Sequence, residues 1–201
     1  MTVVRHPRLQ YLFLKTQAVW LLALGRRAGA LRRFDQMLQL KPLDRYALAS
    51  RAHVLAQQQD FDAALAPLLQ LTGLVGNAEA GPQAAAAWFN LGYALQQLGR
   101  HEKAGSAFRS ALALEPGLDK AWYGLALVLM HQQHFHEAVA ALKKNTALQP
   151  LSPYGWYRLA QVRLALGQGD KALKVIEHLR QFEPRVAAQF EREHGVTHAA
   201  D

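Results

Sequence analysis

The sequence predicts an all-α protein in which antiparallel helix pairs stack into a solenoid. Two observations support this fold class. A pattern of apolar and small residues returns at a fixed interval of 34 residues in the second half of the chain. Within each copy the apolar residues recur every three or four positions, which is the period of one helical face. In the third copy Gly99 and Pro116 each follow a periodic segment, and these breaks divide the copy into two short helices.

The composition is that of a folded, basic protein. The chain has 201 residues, of which 51% are apolar and 19% are charged, and its formal net charge is +8. This apolar fraction allows enough burial to offset chain entropy, so wholesale disorder is excluded. The sequence contains no cysteine, which excludes disulfides, thiol catalysis, thiolate zinc sites and iron–sulfur ligation.

The apolar segment at residues 11–24 is a candidate for a targeting or membrane segment. Lys15, Thr16 and Gln17 interrupt it, and no run reaches the roughly 18 to 20 apolar residues that a membrane span needs. No small-residue cleavage site followed by a polar region accompanies it. We therefore predict a cytoplasmic protein without a transmembrane segment.

The 34-residue repeat is clearest in the last three copies. Trp88 opens the register and Pro116 closes it, and both residues return twice at the same spacing. The three copies read Trp88, Leu91, Gly92, Leu95, Ala104, Phe108, Ala111 and Pro116, then Trp122, Leu125, Ala126, Leu129, Ala138, Leu142, Asn145 and Pro150, then Trp156, Leu159, Ala160, Arg163, Ala172, Ile176, Leu179 and Pro184. Two consecutive returns of this kind indicate a repeat architecture.

Two earlier copies fall into the same register once residues 79–84 (EAGPQA) are taken as an insertion, because glycine and proline mark loops. Leu14 and Leu48 then occupy the place of the tryptophan, and Pro42 closes the first copy. All five copies have alanine at the equivalent of Ala104. The repeat therefore extends through nearly the whole chain.

This pattern resembles the tetratricopeptide repeat. The resemblance implies a single domain, residues 11–186, that forms a right-handed superhelical solenoid of antiparallel helix pairs with a C-terminal capping helix. Residues 1–10 would form an N-terminal lead-in, and residues 187–201 would form the capping helix and a loose tail. The implied repeats are residues 11–44, 45–78, 85–118, 119–152 and 153–186, with the insertion at 79–84.

The spacing also explains why the copies must stack. Gly99 separates the two helices of the third copy, and Ala104 is small where helices cross closely. One helix pair cannot bury its whole apolar stripe, so at least three copies are needed for stability. At the C-terminal end Val186 and Phe190 lie four residues apart on one face of a predicted capping helix, and Gly195 is placed to stop it.

No pattern in the sequence predicts catalysis, a cofactor or a metal. It has no glycine-rich phosphate loop, no nucleophile elbow and no carboxylate pair with acid–base spacing. His131, His134 and His136 are close in sequence, but the register places them at a helix end and in the following turn, without a carboxylate or cysteine at ligand spacing. We therefore predict a protein that is not an enzyme.

The resemblance also implies where a partner would bind. In tetratricopeptide proteins the first helix of each pair lines a concave groove that holds an extended peptide or a partner helix. The groove positions expected to contact a partner here are Lys15, Tyr46, His53, Phe89, Asn90, Tyr93, Lys120, Tyr123, Tyr154, Tyr157 and Arg158.

Tyrosine is enriched at these groove positions. They hold five of the six tyrosines, although tyrosine has no evident packing requirement there, and interface centres favour tyrosine and arginine. No Asp or Glu occupies a groove position, which suits a partner segment that carries a carboxylate. We therefore predict a scaffold or assembly adaptor that binds a peptide or helix of another protein.

Other interpretations of the groove and its surroundings stay open. The groove positions could be solvated helix surface. A carboxylate clamp of the chaperone-binding kind is not expected, because Ala49, His53 and Gly124 stand where it has Lys, Asn and Arg.

Trp20 lies outside the tryptophan register and has no assigned role. The oligomeric state is also open.

The basic first repeat supports an alternative function. Residues 1–45 hold nine basic and two acidic side chains, a net charge of +7, whereas the rest of the chain has a net charge of +1. Arg26, Arg27, Arg32 and Arg33 cluster around the first turn and could bind nucleic acid, anionic lipid or an acidic protein. Aromatic residues are not interleaved with them, which disfavours nucleic acid. They could also be a solvated face.

Overall fold

The structure, a computed structural model, describes residues 7–75 and 82–195. Eleven α-helices, together with the turns inside these two ranges, account for the described residues. Their bounds are α1 Pro7–Ala23, α2 Arg27–Leu40, α3 Arg45–Gln57, α4 Phe61–Val75, α5 Pro82–Gln97, α6 His101–Leu114, α7 Asp119–His131, α8 Phe135–Leu148, α9 Pro153–Ala165, α10 Gly169–Phe182 and α11 Pro184–His194. The predicted all-α fold of consecutive helix pairs with a capping helix is confirmed.

The chain divides into two compact units, Met1–Arg100 and His101–Asp201. In the first unit consecutive helices from α1 to α5 pack against each other, and in the second unit consecutive helices from α6 to α11 do the same. Of the predicted insertion, residues 79–81 lie outside the described residues, and residues 82–84 form the first turn of α5. The predicted tail after Gly195 also lies outside them.

No helix in the described ranges combines the length and the apolar character that crossing a membrane requires.

The turn inside every helix pair contains one residue in the left-handed conformation. These residues, with φ between 60° and 70°, are Gly25, Gln59, Gly99, Gln133 and Gly167. The next residue donates its backbone N–H to the carbonyl five positions earlier, as Arg100 does to Leu95 and His134 does to Leu129, both at 2.8 Å. This is the Schellman arrangement, which satisfies carbonyl groups at the end of the first helix. The repeat therefore preserves a backbone conformation at this position even where the residue is glutamine.

Two tryptophans tie a first helix to the loop that precedes it. The indole Nε1 of Trp122 donates to the carbonyl of Pro116 at 2.8 Å, and Nε1 of Trp156 donates to the carbonyl of Pro150 at 2.8 Å. Both rings are half-buried. The six-residue spacing from proline to tryptophan therefore supplies a hydrogen bond as well as packing.

Small residues in the first helices let the preceding second helix approach. A Cβ atom on Gly124 of α7 would lie 2.6 Å from the Phe108 ring of α6, and one on Gly155 of α9 would overlap Oδ1 of Asn145 in α8. Asn145 is buried, and its Nδ2 donates to the Asp119 carbonyl at 3.0 Å. The facing helix therefore leaves no room for a side chain at these two positions.

The capping helix α11 closes the apolar surface of the last helix pair. Ala187 and Phe190 are fully buried in a cluster with Ile176 and Leu179 of α10. Val186, predicted to lie on the same face as Phe190, is half-buried against this cluster. Gly195 ends the helix with a left-handed φ of 63°, as the sequence predicted.

Candidate partner-binding surfaces

In the first unit, six predicted groove residues lie on the first helices and are called here the unit-1 face. They are Lys15 of α1, Tyr46 and His53 of α3, and Phe89, Asn90 and Tyr93 of α5. The Lys15 ammonium group lies 4.2 Å from the centroid of the Tyr46 ring, a cation–π contact that joins α1 to α3. His53 is exposed, with Nε2 3.0 Å from Nε2 of Gln57, and Asn90 is exposed.

The tyrosines of the unit-1 face also pack against second helices. The Tyr46 ring makes an edge contact with Phe34 of α2 at a centroid distance of 6.4 Å, and the Tyr93 ring does so with Phe61 of α4 at 5.8 Å. The expectation that tyrosine has no packing role at these positions is therefore wrong for Tyr46 and Tyr93. Tyr46 is still 37% exposed and Tyr93 43% exposed, so both rings can also contact a partner.

In the second unit, five predicted groove residues lie on α7 and α9 and are called here the unit-2 face. They are Lys120 and Tyr123 of α7, and Tyr154, Tyr157 and Arg158 of α9. Lys120 and Tyr154 occupy equivalent positions one repeat apart and both are exposed, Tyr154 to 70%. Tyr123 is half-buried. Exposed aromatic and cationic side chains therefore occupy neighbouring first helices.

Tyr157 differs from the rest of the unit-2 face because it packs on the capping helix. Its ring lies 5.0 Å from the Phe190 ring, and its hydroxyl donates to Oε2 of Glu193. Burial, followed by this hydrogen bond, raises the pKa of Tyr157, and the same hydrogen bond lowers the pKa of Glu193. Sequence reasoning placed no carboxylate beside the groove positions and missed Glu193, because this residue belongs to α11. Arg158 donates to Oε1 of Gln161 at 2.8 Å.

Three of the four arginines in the predicted basic cluster line one pocket. Arg26, Arg27 and Arg32 line a shallow pocket of about 560 Å³ at the start of α2. Arg33 instead donates to Oε1 of Gln36 at 2.8 Å. Within the described part of the chain, none of the three pocket arginines forms an ion pair. The pocket is therefore cationic without internal neutralisation.

The histidines are arranged differently from their order in the sequence. His131 stacks on His101, with ring centroids 3.7 Å apart, and His134 lies 3.7 Å from a carboxylate oxygen of Glu137. Burial, and then the charge of His131, lowers the pKa of His101, whose Nδ1 is buried without a hydrogen-bond partner. Over residues 7–75 and 82–195, no group of three His, Asp or Glu side chains is placed to hold a metal ion.

Comparisons with known proteins identify the family. One tetratricopeptide-repeat family model matches residues 85–118, and a second matches residues 16–79 and 123–184. Because the second model alone spans more than half of the sequence, the chain belongs to the tetratricopeptide repeat family. No match was found among curated proteins.

Solved structures with a similar fold share little sequence with the chain. A crystal structure of the MamA protein aligns with a TM-score of 0.79 at 17% identity, over 95% of this chain and 98% of that one. A tetratricopeptide repeat protein from Parabacteroides merdae aligns with a TM-score of 0.78 at 18% identity, over 92% and 74%. YrrB, described as a TPR protein with an unusual peptide-binding site, aligns with a TM-score of 0.74 at 18% identity, over 87% and 88%.

Proposed function

We propose that the protein is an interaction scaffold whose first-helix faces bind a peptide or helix of a partner protein. The observation that carries this proposal is the exposure of aromatic and cationic side chains on the first helices of both units. Tyr154 and Lys120 are exposed in the second unit, and Tyr46 and Tyr93 are more than one third exposed in the first. Such side chains concentrate binding energy at protein interfaces. No catalytic step is part of the proposal.

The unit-2 face suits a segment that combines an apolar side chain with a carboxylate. Helix α9 contains no acidic residue, and Asp119 is the one acidic residue of α7. Lys120 forms no ion pair with any described residue, so its ammonium group can bind a partner carboxylate without first losing an internal partner. The exposed Tyr154 ring offers an apolar surface with a polar tip for the neighbouring side chain.

Tyr157 has a supporting role in this proposal. Its hydroxyl is bonded to Glu193 and its ring covers Phe190. Replacing it would therefore disturb α11 as well as any partner contact. A test of the unit-2 face is cleaner when it changes only the exposed Lys120 and Tyr154.

Affinity capture from native extract tests the proposal with a matched pair of variants. Lys120→Glu/Tyr154→Ala changes the unit-2 face, and Lys144→Glu/Leu148→Ala makes the same kinds of change at exposed positions of the second helix α8. Captured proteins are identified by mass spectrometry, and a synthetic peptide from the captured protein is then titrated against each variant. Lys15→Glu asks the same question of the unit-1 face.

We expect wild type and the α8 variant to capture the same protein at about 0.15 M and about 0.5 M salt, because an aromatic contact resists screening. The Lys120→Glu/Tyr154→Ala variant should bind the peptide at least roughly tenfold more weakly, as loss of interface anchors does. The proposal would be contradicted if both double variants and Lys15→Glu bound the peptide as tightly as the wild type does.

A further inference from the structure

Helix α1 has apolar side chains on two opposite sides. Leu14 and Ala18 are buried against the rest of the first unit. On the other side lie Leu9, Phe13 and Trp20, with Leu24 directly after the helix, and each of them is between 60% and 67% exposed. We call these four residues the outer face of α1. A helix that is apolar on both sides normally buries both, so this exposed face calls for an occupant.

The equivalent positions in the other four repeats show what a packed helix requires there. The equivalents of Phe13 are Ala47, Ala87, Ala121 and Gly155, and those of Trp20 are Val54, Ala94, Val128 and Val162. All eight are buried on first helices that pack against the second helix of the preceding repeat. Only small or β-branched side chains fill these positions because the facing helix is close.

Phe13 and Trp20 are too large for that mode of packing. A preceding repeat, or a second copy stacked in the same way, would meet two aromatic rings where the other repeats have Ala, Gly or Val. A second copy would also bring the same net charge of +7 from its own residues 1–45, and like charges oppose association. The occupant must therefore accept bulky aromatic side chains without close-packed complementarity.

Positive charge next to the outer face in the chain adds a requirement for a negatively charged occupant. Arg26 and Arg27 come directly after Leu24 and Gly25, and together with Arg32 they line the cationic pocket at the start of α2. Helix α1 itself has no acidic residue. An anionic bilayer meets both requirements, because its fluid apolar region adapts to Trp, Phe and Leu side chains while its phosphates lie at the level of flanking arginines.

We propose that the outer face of α1 docks the protein on the surface of an anionic lipid bilayer. Phe13 and Trp20 enter the interfacial region, Leu9 and Leu24 extend the apolar contact, and Arg26, Arg27 and Arg32 contact lipid phosphates. This site is separate from the unit-1 and unit-2 faces and does not depend on the proposed function. Nucleic acid would satisfy the arginines, but it offers no apolar phase for the leucines.

Vesicle flotation tests the proposal directly. The probes are vesicles of pure phosphatidylcholine and of phosphatidylcholine with about 30% phosphatidylglycerol, at about 0.1 M salt. We expect the full chain to float with the anionic vesicles. The variant Phe13→Ser/Trp20→Ser should lose roughly tenfold or more of this partition, since two large apolar side chains are removed. Leu69→Ser/Leu151→Ser, which removes two exposed apolar side chains elsewhere, should retain it.

A second pair of variants separates the charge from the apolar contact. Arg26→Gln/Arg27→Gln should weaken binding to anionic vesicles several-fold, whereas Lys143→Gln/Lys144→Gln, with the same change of net charge on α8, should have a smaller effect. Circular dichroism checks that each variant is folded. Leu9→Ser/Leu24→Ser replaces the aromatic double variant if that protein does not fold, and the same loss is expected.

Several outcomes would overturn the proposal. The proposal is wrong if the wild type does not float with anionic vesicles. It is also wrong if Phe13→Ser/Trp20→Ser and Leu9→Ser/Leu24→Ser float with these vesicles as well as the wild type does. A dimer in lipid-free sedimentation that Phe13→Ser/Trp20→Ser dissociates would assign the face to self-association. The outer face would be assigned to nucleic acid if duplex DNA binding depended on Trp20 and vesicle binding did not. It would be assigned to a protein partner if capture of an acidic protein from membrane-free extract depended on Trp20 and vesicle binding did not.

Discussion

Two glutamines occupy a backbone conformation that glycine adopts at the equivalent turns. Gln59 and Gln133 have φ values of 62° and 60°, where a side chain crowds its own backbone. Helices pack on both sides of each turn, and the Schellman hydrogen bonds need the left-handed residue. The strain is therefore retained because the surrounding helices fix the turn.

We expect Gln133→Gly to stabilise the protein by about 0.5–1 kcal/mol, because relief of left-handed strain exceeds the added chain entropy of glycine. The reverse change, Gly167→Gln, should cost about 1–2 kcal/mol at the equivalent turn. Urea unfolding followed by circular dichroism measures both. A lower free energy of unfolding for Gln133→Gly would show that the glutamine side chain makes a compensating contact.

A second prediction concerns the close approach at Gly124. We expect Gly124→Ala to destabilise the protein by about 1–3 kcal/mol, because the new methyl group overlaps the buried Phe108 ring. Gly73→Ala is the control, since no atom lies within 4 Å of a Cβ placed there, and it should stabilise α4 by up to about 1 kcal/mol. Thermal denaturation of both variants checks the opposite signs.

At the level of helices, the sequence predicted the helix pairs that follow the 34-residue repeat. It did not predict contacts made by residues outside that repeat. Trp122 and Pro116 keep one spacing in the last three copies, so helix pairing could be read from them. Glu193 could not be placed beside Tyr157, because the capping helix does not repeat. Comparison of Phe13 with Ala47 could have indicated an unusual first helix, since both have the same register position.

The α6–α7 contact should make stability depend on pH through His101. Its pKa is lowered from 6.5 in the folded state by burial and then by His131. The unfolded chain therefore takes up a proton near pH 6.5 while folded His101 remains neutral, so the free energy of unfolding decreases as pH falls below that value.

We expect the urea midpoint to fall between about pH 7.5 and about pH 5.5, and to fall less in His101→Asn. His134→Asn is the control, because His134 is exposed and lies outside the stacked pair. Identical pH dependence in wild type and His101→Asn would exclude His101 as its source.

At the scale of the whole molecule, a stack of repeats must terminate its apolar surface. Helix α11 does this for the last pair with Ala187 and Phe190. In the first pair, α1 instead presents large exposed apolar side chains, and arginines of the following turn and of α2 line a cationic pocket. The first and the last described helix pairs therefore differ in the character of their outer surfaces.

Removal of residues 184–201 tests the importance of the C-terminal cap. We expect a loss of at least about 3 kcal/mol, because Phe190 burial is lost, together with self-association through exposed Ile176 and Leu179. Removal of residues 196–201 alone is the control. Thermal denaturation and sedimentation velocity report the two effects, and a monomeric, equally stable protein without α11 would contradict the capping role.

The indole hydrogen bonds of Trp122 and Trp156 make each of these repeats observable by itself. Each indole N–H donates to a proline carbonyl oxygen that lies 2.8 Å from Nε1, across the loop that leads from the preceding repeat. In a proton NMR spectrum the two signals should shift downfield and exchange slowly with solvent while their loops are closed. Loss of one signal before the other during denaturation would give the order in which neighbouring repeats come apart.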